Sequence, residues 1–355
     1  MKSGIAVVGT ILVDSINEIS AYPQAGELTK IKSVQKAVGG CVPNVAIDLK
    51  RLSPKTTIKA AGKIGADENG EYVKNVLQTN GVDIANVVVG ADKTSFTEVM
   101  SVSGGQRTFF TYAGASADFG VADVDLDGLN VKMLHLGYFL LLDKIDSGDG
   151  EKLLRLAQEK GIKTSIDLVS ENSNRYSLVL PCLKYVDNLI INEVEAGALT
   201  GIEPKGENLV QIAQKLKEYG VEERVIIHTP EIGVCVSNTG VELVPAYALP
   251  ENFIVGTTGA GDAFCATATI AGPTMEISLY TLCTSACAII TGLLSSSAAP
   301  ITACKLSKPV ALNIPIALLS CSAIFKISFK FTSIILSSLS FYKVLLFRFL
   351  RKVRS

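Results

Sequence analysis

The chain has 355 residues, 48% of them hydrophobic, with a formal net charge of −1 and no Trp, which is apolar material for one large α/β domain or two ordinary ones. Such a charge balance, with no interleaving of basic and aromatic residues, gives nucleic acid nothing to bind. The eight cysteines form no C-x-x-C pair and have no His at ligand spacing, and no signal peptide precedes the first apolar segment, so reduced thiols in the cytoplasm are expected.

In chain order, Ile5–Val13 reads as a strand and Glu27 to Val38, polar with Leu28, Ile31 and Val34 interleaved, as an exposed strand pair. A helix follows over 44–52, with Val45, Leu49 and Leu52 on one face and Pro43 and Asn44 at its start. Thr57–Ala61 is a strand, and Glu68–Asn80 a helix closed by Asn80-Gly81. Phe96–Val102 and Arg107–Tyr112 flank Ser103-Gly104-Gly105-Gln106, a hairpin signal. Lys132–Leu141 is a buried strand, and Gly150–Lys160 a helix stopped by Gly161. Lys163–Asp167, Asn188–Ile191 and Arg224–His228 are strands separated by helical periods at 174–184 and 206–219. Val234–Ser237 and Val241–Val244 make a last hairpin around Asn238-Thr239-Gly240. The alternation predicts an α/β fold, a doubly wound, mostly parallel sheet with helices on both faces. Residues 14–38 and 95–112 break the rhythm and read as a small β-sheet lid.

The end of the chain departs from this pattern. All 34 Asp and Glu lie at or before Glu276, whereas the final 79 residues hold nine of the 33 Lys and Arg. The first part thus carries 24 basic against 34 acidic residues, and the last part carries +9. Three readings stay open. A shifted reading frame near residue 266 explains the loss of acids. Val310–Phe325 and Phe331–Leu350 are apolar enough to suggest membrane association, but Asn313, Pro315, Lys343 and Arg348 interrupt them, short of the ~20 clean residues a span needs. The third is a divergent native ending in which Ile277–Leu294 is a small-residue helix. We therefore expect one domain over 1–300 and an atypical basic tail over 301–355.

Two Gly-rich stretches carry the chemistry. Gly256-Thr257-Thr258-Gly259-Ala260-Gly261-Asp262-Ala263 follows a short apolar run and precedes small helix-compatible residues. Gly259 and Gly261 let successive N–H groups face one concavity at a helix start, an anion-binding arrangement. Asp262 in the first turn then suits a general base that takes a proton from an attacking hydroxyl. The same residues also read as a tight turn with an ordinary helix-start acid. Val38-Gly39-Gly40-Cys41-Val42-Pro43-Asn44 lets backbone approach a ligand, and Asn44 offers the donor and acceptor that a sugar hydroxyl requires; a plain turn is the alternative. Asn192 and Glu195 lie one helical turn apart, to hold the waters of Mg2+ or simply to start a helix. His135 and His228 sit in apolar strands as core histidines. The chain has no G-x-x-x-x-G-K-[ST] loop and no G-x-G-x-x-G after the first strand, which weighs against a Walker-type kinase and a dehydrogenase.

These two stretches, in this order, resemble the two signatures of the PfkB (ribokinase-like) carbohydrate kinase family, over roughly residues 4–265. Val13-Asp14, Thr108–Tyr112, Ser165–Asp167, Asn192-Glu193-Val194-Glu195 and His228–Gly233 resemble further family segments. Gly256 departs from the Asp or Asn that usually opens the second signature, and the Gly spacing at 232–235 differs from the common form. The resemblance implies ATP-dependent phosphorylation of a primary hydroxyl of a small sugar, with Mg2+ and a K+ effect. Asp262 would be the base and Gly259, Ala260 and Gly261 the anion hole. Asp14, Gly39, Gly40, Asn44 and Tyr112 would bind substrate. Asn192, Thr229, Gly233 and Thr258 would line the nucleotide site, and Glu195 would reach Mg2+ through water. It also implies a homodimer paired through the lid. Phe96, Phe109, Phe110, Tyr112 and Tyr138 keep a nucleoside kinase of the same fold open, and the tail keeps open a catalytically dead sugar-binding relative.

Overall fold

A computed structural model describes residues 2–102, 107–171, 173–246 and 259–270. Thr258, Gly256, the lid turn at 103–106 and the tail from 271 lie outside the described residues.

The chain starts with β1 (Ile5–Gly9), β2 (Leu12–Ile19), β3 (Ile31–Gly39), α1 (Cys41–Leu52), β4 (Ile58–Ile64), α2 (Glu68–Thr79) and β5 (Asp83–Val89). Then come β6 (Ser95–Val102), β7 (Arg107–Tyr112), the single turns α3 (Gly114–Ala117) and α4 (Leu126–Leu129), β8 (Met133–Phe139), α5 (Gly150–Glu159) and β9 (Lys163–Leu168). The described part closes with β10 (Asn188–Asn192), α6 (Glu193–Thr200), α7 (Leu209–Glu218), β11 (Arg224–His228), β12 (Ile232–Ser237), β13 (Gly240–Pro245) and α8 (Ala260–Ile270).

Nine strands form one sheet in the order β13-β12-β11-β10-β9-β8-β1-β4-β5. From β11 to β5 every neighbouring pair is parallel, and only β12 and β13 run antiparallel at one edge. The period-2 geometry of a strand sends alternate side chains to opposite faces. Ala6 and Val8 therefore join a core with α5 and α7 (Leu153, Leu154, Ile212, Leu216). Ile5 and Val7 join a second core with α1, α2 and α8 (Val45, Leu49, Val73, Leu77, Phe264, Ala268). Each Val, Leu, Ile or Phe side chain among these contributes about 1.5–3 kcal/mol when fully buried. Helices on both faces of a mostly parallel sheet are the doubly wound architecture that the alternation predicts.

A second sheet, ordered β3-β2-β6-β7, forms the lid. Its strand β7 is exposed along its whole length. No helix among the described residues is long and apolar enough to cross a membrane.

Four expectations are corrected. Ile5–Val13 is not one strand: the chain leaves the large sheet after Gly9 and enters the lid at Leu12. The stretch 27–38, expected as an exposed strand pair, supplies one strand, β3, whose antiparallel partner is β2. The helix at 44–52 begins at Cys41, with Gly40 at its N-cap (φ 85°). The helical period at 174–184 breaks into two short 3-10 turns, Arg175–Leu178 and Leu180–Tyr185, where Pro181 cannot donate to a continuing helix. Edge strand β5 has no counterpart in the sequence reading.

Candidate active site

The C-terminal ends of the parallel strands gather the polar residues, as expected for open α/β sheets. Asp262 stands in the first turn of α8. It is 5% exposed. One of its oxygens, Oδ2, accepts two hydrogen bonds, from Asn44 Nδ2 at 2.9 Å and from the Tyr138 hydroxyl at 2.9 Å. The two Gly-rich stretches, 218 residues apart, thus meet at one carboxylate. Among the described residues Oδ1 has no hydrogen-bond partner. Burial pushes the Asp262 carboxyl up to about 7, the neighbouring Asp167 carboxylate adds to the rise, and the Asn44 and Tyr138 bonds oppose it.

Tyr138 is the residue the sequence reading did not assign to this centre. It reaches Asp262 because the chain turns sharply at the end of β8, where Tyr138 has φ 57° and Leu140 φ 78°. Bulky residues rarely adopt such values, at a cost of about 1–3 kcal/mol each. Surrounding groups hold the turn. Asp167 Oδ1 accepts the Tyr138 N–H at 2.5 Å and Asp146 Oδ1 accepts the Leu140 N–H at 2.9 Å. Arg175 donates to the Leu140 carbonyl at 2.6 Å and to Asp146 Oδ2 at 3.2 Å.

On the lid side, Asp14 lies third in β2 rather than at the end of a core strand. It is half-buried with no hydrogen-bond partner among the described residues, and burial pushes its carboxyl up to about 6. It packs directly on Gly39: a Cβ there would collide with the Asp14 carboxylate and with Leu12 Cδ1. A Cβ on Gly40 would stand 2.5 Å from the Thr10 carbonyl. Both glycines are required for this approach. Tyr112 stays on the lid, its ring 5.3 Å from Phe96 and its hydroxyl donating to Asp92 at 2.8 Å.

At the end of β10, Asn192 caps α6. Its Oδ1 accepts the Glu195 N–H at 2.9 Å, and Glu195 Oε2 accepts the Asn192 N–H at 3.0 Å, a reciprocal capping box. Ser170 Oγ donates to Glu195 Oε1 at 2.7 Å and accepts from Asn192 Nδ2 at 2.7 Å. Glu195 is 4% exposed, and burial pushes its carboxyl up to about 7. Thr229 follows β11, where its Oγ1 accepts the N–H groups of Glu231 and Ile232 at 3.0 and 2.9 Å. Gly233 pairs with His228 across the β11–β12 ladder. His228 stacks on Phe264 at 4.6 Å, and burial pushes it down to about 4, so it stays neutral.

Known proteins resemble the chain in sequence and in fold. The pfkB family carbohydrate kinase profile matches residues 2–289. Fructokinase-1 of Oryza sativa subsp. japonica is 27% identical over 268 residues, 72% of this chain and 79% of that one. A bifunctional ribokinase/ribose-5-phosphate isomerase A of Fructilactobacillus sanfranciscensis is 26% identical over 263 residues, 73% of this chain and 47% of that one, so the chain spans about half of this relative. In fold, the chain is similar to Arabidopsis thaliana ribokinase complexed with ribose and ATP, with a TM-score of 0.69 at 24% identity over 84% of this chain and 95% of that one. With a doubly wound sheet, a β-sheet lid and a buried Asp at the start of α8, and with the family profile running over most of its length, the chain belongs to the pfkB family of carbohydrate kinases.

Proposed function

We propose that the chain transfers the γ-phosphoryl group of ATP to a primary hydroxyl of a small sugar. The observation that carries this reading is the Asp262 carboxylate, buried, raised to about 7 and aimed by Asn44 and Tyr138. With Oδ2 occupied by these two donors, Oδ1 accepts the substrate proton as the sugar oxygen attacks phosphorus. A base whose pKa lies near the working pH is efficient, and such proton transfer contributes about 10²- to 10⁴-fold. The backbone N–H groups of Gly259, Ala260, Gly261 and Asp262, at the N-terminus of the 11-residue helix α8, hold the developing negative charge, each worth about 3 kcal/mol.

Asp14, the Gly39–Gly40 turn and Asn44 bind the sugar hydroxyls, and Tyr112 lines the lid side. The unpartnered, half-buried Asp14 carboxylate supports this, since such a group suits hydroxyl donors. The nucleotide lies across Asn192, Thr229, Thr258 and Gly233. When bound, Mg2+ neutralises phosphate charge. Both Glu195 oxygens are engaged by Ser170 and Asn192, so Glu195 meets that ion only through water, consistent with the hydration Mg2+ keeps. A K+ effect on turnover belongs to the same proposal. Four buried free cysteines, Cys41, Cys182, Cys235 and Cys265, suit a reducing cytoplasm. Exposed Phe109 and Phe110 on β7 and Ile31 and Val34 on β3 suit a homodimer paired through the lid.

A second reading, a nucleoside kinase, draws on the stacked Phe96 and Tyr112 rings of the lid. The test is ATP turnover by the full chain against pentoses, hexoses and nucleosides, with Asp262→Asn as control. Turnover of one sugar, lost in the variant, supports the proposal. Turnover of a nucleoside alone moves the assignment to the second reading. A folded protein with no turnover overturns both, in favour of a sugar-binding relative without activity.

A further inference from the structure

Three side chains that the phosphoryl transfer does not use meet beneath the base. His135 comes from β8, Asp167 from β9 and Cys265 from α8, one helical turn after Asp262. All three are buried. His135 Nε2 lies 3.3 Å from Cys265 Sγ and 3.5 Å from Asp167 Oδ2, and the three ligand atoms fall within 4.8 Å of one another. A separation of 3.5 Å is long for an N–H···O hydrogen bond. It matches instead the edge of a tetrahedron around one cation, roughly 3.3–3.7 Å for bonds of about 2.0–2.3 Å to N, O and S.

The outward atoms of two ligands are already held. His135 Nδ1 lies 2.9 Å from Ser165 Oγ. With Ser165 accepting from Nδ1–H, the Nε2 lone pair faces Asp167 and Cys265. Asp167 Oδ1 accepts the Tyr138 N–H, which leaves Oδ2 for the cluster. A ring nitrogen and a ligating carboxylate fixed by outer partners are the pattern of metal-binding side chains.

We infer that His135, Asp167 and Cys265 bind a borderline-soft divalent cation of the Zn2+ class, at a site separate from the Mg2+ that accompanies ATP. The donor set of imidazole, carboxylate and thiolate selects such a cation over hard ions. Bound there, it ties α8 to β8 and β9, so occupancy raises the melting temperature.

Cobalt(II) tests this on the purified, chelator-treated full chain. One equivalent is expected to give near-ultraviolet thiolate-to-cobalt absorption and visible bands of tetrahedral strength, both displaced by Zn2+. Cys265→Ser loses the near-ultraviolet band, and Asp262→Asn keeps it, which separates this result from the identity of the base. Should Cys265→Ser fail to fold, Ser165→Ala carries the test, since loss of an outer partner weakens affinity about tenfold to hundredfold. The inference is overturned if the intact chain shows no such band. It is equally overturned if Cys265→Ser keeps the full band, because the other seven cysteines would then hold the ion, or if Ser165→Ala binds cobalt as tightly as the parent.

Discussion

Asp262→Asn separates two consequences of burying one carboxylate. The group is raised from 3.8 to about 7 in the folded chain, chiefly by burial. The folded state therefore keeps this proton up to about pH 7, whereas the unfolded chain has released it by about pH 4. The sign follows: stability falls as pH climbs between those values and levels off above the upper one. At about 1.36 kcal/mol per pH unit, the penalty is roughly 1.5 kcal/mol at pH 5 and about 4 kcal/mol above pH 7. Asn keeps an oxygen that can accept from Asn44 and Tyr138 but carries no charge. The variant should melt close to the parent near pH 4 and about 8 °C higher above pH 7, at about 2 °C per kcal/mol for a domain of this size. Its turnover should fall by about 10²- to 10⁴-fold. Differential scanning calorimetry from pH 4 to 8, with parallel turnover assays, makes the comparison. An advantage that does not grow with pH would refute the argument that Asp262 is a desolvated, titrating carboxylate.

Other outcomes follow from the same geometry. For the parent enzyme, kcat/KM should fall on the acid side with an apparent pKa near 7, the value for Asp262. Tyr138→Phe removes a bond that lowers this pKa, worth about 1.5–3 kcal/mol to a charged acceptor, so the acid limb should move up by about one to two pH units; a lower kcat with an unmoved limb would deny Tyr138 this role. Gly39→Ala forces a Cβ into the Asp14 carboxylate and should raise KM for sugar while leaving KM for ATP alone, read from initial rates with each substrate varied. Glu195→Gln preserves the capping box and, because burial raises the Glu195 carboxyl to about 7, should unfold like the parent near pH 4 but at higher urea above pH 7, whereas Glu195→Ala should cost about 1 kcal/mol of stability near pH 4, measured by urea unfolding.

The doubly wound sheet was legible because its buried parallel strands are short Val- and Ile-rich runs separated by helical periods. The two Gly-rich motifs were legible at the ends of that alternation, but not that Asn44 of the first bonds Asp262 of the second, since that contact joins residues 218 apart in sequence. Local pattern could not separate β1 from β2, since Ile5 to Val13 is apolar across the break and only tertiary pairing turns the chain at Thr10-Ile11. Tyr138 was hidden for a related reason. Its approach to Asp262 depends on a left-handed backbone held by Asp167 and Asp146, and nothing in Gly137-Tyr138-Phe139 announces that conformation. Asn192-x-x-Glu195 was visible as a motif, but a capping box and a water-mediated ion site use the same two residues at the same spacing.

The lid sheet hangs on short joints. β1 enters β2 through Thr10 and Ile11, and β3 leaves the lid at Gly39 to start α1 one residue after Gly40. Asn44 therefore rides on a helix that is a direct continuation of a lid strand. Gly40 alone separates the lid from that helix, whose Val42, Val45 and Leu49 are seated in the core, so the root of the lid and the amide that aims Asp262 share one rigid anchor.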